Sequence, residues 1–235
     1  MSSADDKDSA VSAAPVPPEL IQGSPEWLAY RKEHFNASDA PAMMGVSSYK
    51  TRSQLLHEIH TGLTQEVDAG TQRRFNDGHR FEALARPLAE KIIGEDLYPV
   101  TGSDGDLSAS FDGLTMDEAI AFEHKTLNDV LRNSMGEGLD GDDLPIEYRI
   151  QMEQQLMVSC ADKVLFMASK WNGNELDEER HCWYESDPEL HDALIQTPSA
   201  DVTENTIADV VESGYMVGDR LLRPAKVAVF IPAEG

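Results

Sequence analysis

The chain has 235 residues, 40% of them hydrophobic, which is enough for one domain with a real core. Its formal net charge of −24 argues, taken alone, against a nucleic-acid surface. Its two cysteines, Cys160 and Cys182, form neither a disulfide framework nor a cysteine metal cluster, so a reducing, cytoplasmic compartment is expected.

The N-terminus "MSSADDKDSAVSAAPVPPEL" has no basic start followed by an apolar stretch, so it is not read as a signal peptide. It reads as a flexible tail over 1–18. No apolar run reaches the roughly eighteen residues of a membrane span. "SPEWLAYRKEHF" reads as a helix, with Ser24 as cap and Pro25 at the first helical position. "ASDAPAMMGVS" reads as a short helix opening near Ser38 and stopped by Gly45, and "TRSQLLHEIHTG" as another ending at Gly62. A long helix over about 70–93 carries Phe81, Leu84, Ala85, Leu88 and Ile92 as its core stripe, with Pro87 as a possible kink.

Beyond it the period changes. "LYPVTG", "LSASFDGL", "AIAFEHKT" and "KVLFMASK" read as strands, the last two flanking a glycine-rich acidic loop and the helix "PIEYRIQMEQQLMVSCA". A strand "RHCWYES" precedes an acidic C-terminal region read as helical, and 223–235 read as a tail. The expectation is one α/β domain over 19–222, with a mixed sheet flanked by helices and a helix crossing between its third and fourth strands.

Charge is uneven along the chain. Residues 21–100 hold nine basic and eleven acidic residues, whereas from Gly173 onward there are four and fourteen. A phosphate-binding surface therefore belongs to the N-terminal half. In "SFDGLTMDEAIAFEHKT" the strand period puts Glu123 and Lys125 on one face, and the short connection can fold Asp112 back beside Glu123. Two carboxylates so placed repel unless a cation lies between them, and an all-oxygen site suits magnesium. Alone, a Glu-x-Lys strand is an ordinary feature; the surrounding order of helix, strand, Asp112, strand, Glu123-x-Lys125 and helix gives it force. Ser38, opening a helix, would leave backbone N–H groups free for an anion, with Arg31 converging on it. Tyr148, Gln151 and Gln155 share one helix face. His79 and His124 have no partner at zinc-ligand spacing and read as structural or surface residues.

These motifs resemble the PD-(D/E)xK nucleases, and within them the phage lambda exonuclease-like, YqaJ-type viral recombinase nucleases. Asp112, Glu123 and Lys125 match the core motif, with Phe111 where a proline is often found. "DGHRFEALAR" resembles the family helix whose glutamate maps onto Glu82. "EYRIQMEQQLMV" resembles its Y-x-x-Q helix, mapping onto Tyr148 and Gln151, and "RKEHFNAS" resembles its arginine-to-serine segment, mapping onto Arg31 and Ser38. The resemblance spans about 24–190.

It implies a restriction-endonuclease-like core and a magnesium-dependent 5′→3′ exonuclease acting on double-stranded DNA ends, exposing a 3′ overhang for strand annealing. It further implies two Mg2+ ions, with Mn2+ able to substitute. Asp112, Glu123 and the backbone carbonyl of His124 would hold one ion, and Glu82 with Asp112 would help hold the second. Lys125 and Gln151 would position or activate water. Arg31 and Ser38, with Ser110 and the less well-spaced Arg132, would take the 5′-phosphate. A homotrimer, a single-strand annealing partner and a phage or prophage origin in a bacterial cytoplasm complete the implication. The rivals are a related nuclease of other polarity, an endonuclease, and a silent DNA-end-binding module.

Overall fold

The computed structural model describes residues 20, 22–62 and 69–194 and the strands between 196 and 232; the side chains of 69–76 and from 195 onward lie outside the described residues. The tail over 1–18 lies outside them too. Helix α1 (Pro25–Lys32) starts as read, with Ser24 Oγ accepting the Trp27 N–H at 3.1 Å and Pro25 in the first turn. The two-residue strand β1 (Phe35–Asn36) follows. A 3-10 turn (Ala37–Asp39) then leads into α2 (Ala40–Met43), which closes at Gly45 with φ +76°. Ser38 therefore lies inside the 3-10 turn and does not cap a helix. Helix α3 (Arg52–Thr61) opens on a reciprocal cap between Thr51 and Gln54 and ends on Gly62 in the left-handed region.

Helix α4 (Ala69–Ile93) runs on through Pro87. Its buried stripe is centred on Ala85 and Ala89, with Leu88 and Ile93 packed alongside; Ile92, expected in the stripe, is 37% exposed. The two alanines let the helix lie close on the sheet.

Six strands form the sheet: β1, β2 (Tyr98–Asp104), β3 (Leu107–Leu114), β4 (Ile120–Thr126), β5 (Lys163–Asn172) and β6 (Glu175–Glu185). β4 and β5 are parallel, joined by α5 (Asp129–Ser134) and the crossing helix α6 (Ile146–Ser159), as the sequence suggests. β4 and β5 are buried on both faces, as parallel strands under helices are. Ala121, Val164, Phe166 and Ala168 meet the core beneath α6; Phe122, Leu165 and Met167 meet the core beneath α4.

Strand β3 has one full edge and one broken edge. β2 pairs along it from Leu107 to Leu114. On the other side β1 pairs only Leu107 and Ser108, and β4 only Gly113 and Leu114. Among the described residues the edge from Ala109 to Asp112 is thus free of strand partners, and α6 lies over it.

The C-terminal region differs from the expectation. Helix α7 (Pro188–Leu194) is followed by strands β7 (Gln196–Ser199), β8 (Thr206–Glu212), β9 (Tyr215–Val217), β10 (Arg220–Arg223) and β11 (Lys226–Pro232). β11 is the middle strand of a three-stranded sheet, so 223–235 is not simply a tail. The β-branched and aromatic run "KVAVFIP" is the signal that the acidic composition obscured. Among the described residues no helix is long and apolar enough to cross a membrane.

Candidate active site

The site forms where β3 and β4 part. Asp112, the last residue of the open edge, turns its carboxylate to the ladder: Oδ2 accepts the His124 N–H at 2.8 Å, replacing the strand bond lost by the splay. Across the gap Glu123 is 3% exposed. Its Oε1 accepts from Lys125 Nζ at 2.5 Å and Gln151 Nε2 at 2.8 Å, and its Oε2 from Gln155 Nε2 at 2.6 Å. The structure thus joins Glu123, Lys125 and Gln151, and Gln151 reaches the glutamate rather than the lysine. Tyr148, on the same helix face, is buried against Phe166 with ring centroids 5.5 Å apart.

Glu82 arrives from α4. Its Oε1 accepts from Arg86 Nη2 at 2.7 Å, while Arg86 Nε donates to the Asp112 carbonyl at 2.8 Å. Arg86 ties the helix carboxylate to the strand and was missed from sequence, although its i+4 spacing from Glu82 was visible.

Electrostatically these groups behave as one cluster. Burial, then the charges of Glu123 and Glu82, push the Asp112 carboxyl well above its ordinary range. Burial also raises Glu82, against the lowering pull of Arg86 and His79. Burial favours the neutral form of Lys125, but Glu123 and Asp112 together outweigh it and raise its pKa, so the ammonium persists. His124 is held neutral: burial, then Lys125, push it down to about 3, and its Nε2 lies 2.7 Å from Ser169 Oγ. The structural reading of His124 fits this geometry.

The expected phosphate residues gather on the outer side. Arg31 Nη2 donates to Ser38 Oγ at 3.0 Å and to Asp39 at 3.1 Å. Burial lowers the Arg31 pKa, which Asp39 opposes. The guanidinium lies over the Trp27 ring, 4.7 Å from its centroid, and Trp27 Nε1 donates to Ser110 Oγ at 3.0 Å. Trp27, unremarked in the sequence, therefore connects Arg31 to Ser110. Arg132 is not brought to this cluster: it pairs with Glu178 on β6 at 3.0 Å and with Asp129.

Among the described residues no group of three or more His, Cys, Asp and Glu side chains forms a metal cage. The donor chemistry nevertheless fits a hard cation. Carboxylates that raise one another's proton affinity are relieved by positive charge, and magnesium takes few protein ligands and keeps its waters.

Comparison with known proteins divides the chain. The family model described as YqaJ-like viral recombinase domain matches residues 26–162, and that described as GrpE matches 185–230. The fold is similar to that of the alkaline exonuclease LHK-Exo from Laribacter hongkongensis, with TM-score 0.54 and 22% identity, covering 73% of this chain and 87% of that one. It is similar also to LHK-Exo in complex with dAMP, with TM-score 0.55, 21% identity and the same coverage. A segment of 45 residues is 53% identical to Protein GrpE of Tropheryma whipplei, covering 19% of this chain and 24% of that protein. Protein GrpE of Chelativorans sp. is 54% identical over 43 residues, covering 18% and 19%. The chain thus spans a quarter or less of the length of these curated relatives.

Proposed function

Because the chain belongs to the YqaJ-like viral recombinase domain family, we propose that it is a magnesium-dependent exonuclease that degrades one strand of linear double-stranded DNA in the 5′→3′ direction and leaves a 3′ overhang for annealing. The observation that carries this reading is the Glu123 carboxylate gripped by Lys125 and Gln151 at the parting of β3 and β4, with Asp112 across the gap.

In this reading Asp112, Glu123 and the His124 carbonyl hold one cation and Glu82 contributes to a second, with manganese as a substitute. Bound there, the metal would polarise a phosphodiester and make water a better nucleophile. The chain's own groups do the rest. Lys125, kept charged by its acidic neighbours, steadies negative charge on the phosphate and, with Gln151, orients the water. Arg31 and Ser38, with Ser110 fixed through Trp27, receive the 5′-phosphate, for which Asp39 must yield Arg31. Arg132 would have to leave Glu178 to join them.

Residues 185–230 make a unit appended to the nuclease, in place of one domain reaching to residue 222; the two family matches do not overlap. A homotrimeric ring, a single-strand annealing partner and a phage or prophage origin in a bacterial cytoplasm belong to the same proposal.

The test is a linear duplex labelled at either the 5′ or the 3′ end, with and without 5′-phosphate, beside a closed circle, in magnesium. Early release of 5′ mononucleotides with the circle intact is expected. Cleavage of the circle, or loss from 3′ ends first, overturns the polarity. Silence in both magnesium and manganese overturns the enzyme.

A further inference from the structure

We infer that Gln155 is a positioning residue that holds the Glu123 carboxylate in place for its cation, an inference that rests on the nuclease reading above. Helix α6 buries two adjacent glutamines over the open edge of β3, and they do different work. Gln154 Nε2 donates to the carbonyls of Phe35 at 2.7 Å and Ser108 at 3.0 Å, a tether between helix and sheet made of backbone acceptors. Gln155, fully buried, turns its amide to the catalytic carboxylate, with Nε2 2.6 Å from Glu123 Oε2 and only a long 3.4 Å contact to the Ser110 carbonyl.

The orientation of that amide is set by Glu123. An ionised carboxylate only accepts, so the glutamine must present its NH2 group. Among the described residues its Oε1 then has no hydrogen-bond partner, though it is buried. Glutamine in a dry core normally satisfies both ends, and here one end is left bare so that the other can grip Glu123.

The two oxygens of Glu123 are held unequally. Oε1 is shared by Lys125 and Gln151, both of which are assigned to water or phosphate and must be free to change partner. Among the described residues Oε2 has Gln155 as its only side-chain donor, from a fully buried position on the helix. When Lys125 and Gln151 turn to the substrate, Gln155 keeps the carboxylate from swinging. Groups that orient a metal ligand in this way are worth roughly ten- to a hundredfold in metal affinity or activity.

The experiment compares wild type with Gln155→Met, of similar size but with no donor, Gln155→Asn, whose donor is withdrawn by one methylene, and Gln154→Met. Binding of Mn2+ alone is read without DNA from the electron paramagnetic resonance signal of the free ion. The Mg2+ concentration for half-maximal cleavage of a 5′-phosphorylated linear duplex, the KM for that duplex and the thermal midpoint complete the set. Gln155→Met is expected to weaken Mn2+ binding about tenfold or more and to raise the Mg2+ midpoint in parallel, with KM for DNA unchanged. Gln155→Asn should fall between it and wild type. Gln154→Met should lower the thermal midpoint while binding Mn2+ as wild type does.

A folded Gln155→Met that binds Mn2+ as wild type does overturns the inference, as does an equal loss in Gln154→Met. Should Gln155→Met not fold, Gln155→Asn decides on the same criterion. A wild-type protein that neither binds Mn2+ nor cleaves linear duplex overturns the nuclease reading itself, and the inference with it.

Discussion

Asp112 is the residue at which chemistry and stability pull apart. A carboxyl whose folded pKa is raised above its unfolded value is favoured in the fold only while protonated, so its ionisation at neutral pH works against folding. Asp112→Asn keeps an oxygen for the His124 N–H and removes that charge. Cleavage should be lost by at least a hundredfold or so, as for removal of a single electrostatic group. The thermal midpoint without metal should stay level or rise, by about 2–4 °C for each kcal/mol relieved. Differential scanning calorimetry beside the nuclease assay checks both, and an active variant would remove Asp112 from the site. At the outer cluster, in the proposed reading, Arg31→Ala and Ser38→Ala each delete a donor to the doubly charged terminal phosphate. A charge-assisted hydrogen bond is worth about 1.5–3 kcal/mol, so preference for 5′-phosphorylated over 5′-hydroxyl ends should fall roughly ten- to a hundredfold. Initial rates on the two ends measure it; unchanged preference in both variants would place the terminal phosphate elsewhere.

Among the elements, α6 does two jobs on two faces. Gln151 and Gln155 meet Glu123, and on another side Glu153, fully buried, gathers the start of the C-terminal region. Its carboxylate accepts from Tyr184 Oη at 2.7 Å, Ser186 Oγ at 2.6 Å and the Asp187 N–H at 2.9 Å, and lies 3.2 Å from His191 Nδ1. Arg149, one turn earlier, pairs with Asp187 at 2.7 Å. Glu153→Ala leaves buried donors without an acceptor and should cost about 3–5 kcal/mol in urea unfolding, with faster proteolysis near α7. Glu153→Gln, which keeps one acceptor oxygen, should cost less. A loss in Glu153→Ala below about 1 kcal/mol, the worth of an ordinary hydrogen bond, would mean that α7 is held by other contacts. The nearby loop is fitted as tightly: a Cβ on Gly141 would collide with the backbone of Trp183 and Tyr184, so glycine lets the loop before α6 lie against β6.

At the scale of the whole molecule the net charge of −24 must be reconciled with DNA. In the proposed ring, bases of the N-terminal half, among them Lys50, Arg52, Arg73, Arg74 and Arg80, line the channel while the acidic C-terminal unit faces away. Lys50 is paired with Glu58 at 2.6 Å and Arg80 with Asn174 at 2.5 Å; the side chains of Arg73 and Arg74 lie outside the described residues. DNA binding should weaken steeply with salt as counterions are released. Charge reversal at Arg73 and Arg74 should shorten processive tracts more than it slows a short duplex. Light scattering should give about three times 25.9 kDa. A monomer that still degrades long duplex without dissociating would refute the ring and leave the active site standing.

The sequence by itself determined what depends on neighbours along the chain. A strand's period of two puts Glu123 and Lys125 on one face whatever surrounds them. Ser24, Thr51 and Gly62 bound their helices through local backbone bonds, and the parallel pair of β4 and β5 follows from a helix lying between two strands. The tertiary structure decided what depends on rotation and approach. Gln151, Gln154 and Gln155 are all within one turn of α6, and only the setting of that helix over the open edge of β3 sends the first and third to Glu123 and the second to backbone carbonyls. Arg86, Trp27 and Glu153 acquire their roles from partners that are distant in sequence or on other elements. The strands after α7 escaped notice because acidic residues masked short β-branched runs whose pairing joins β7 and β8 through the distant β11. Local sequence carries backbone periodicity and caps; it does not carry the angle at which a helix meets a sheet, and that angle made the site.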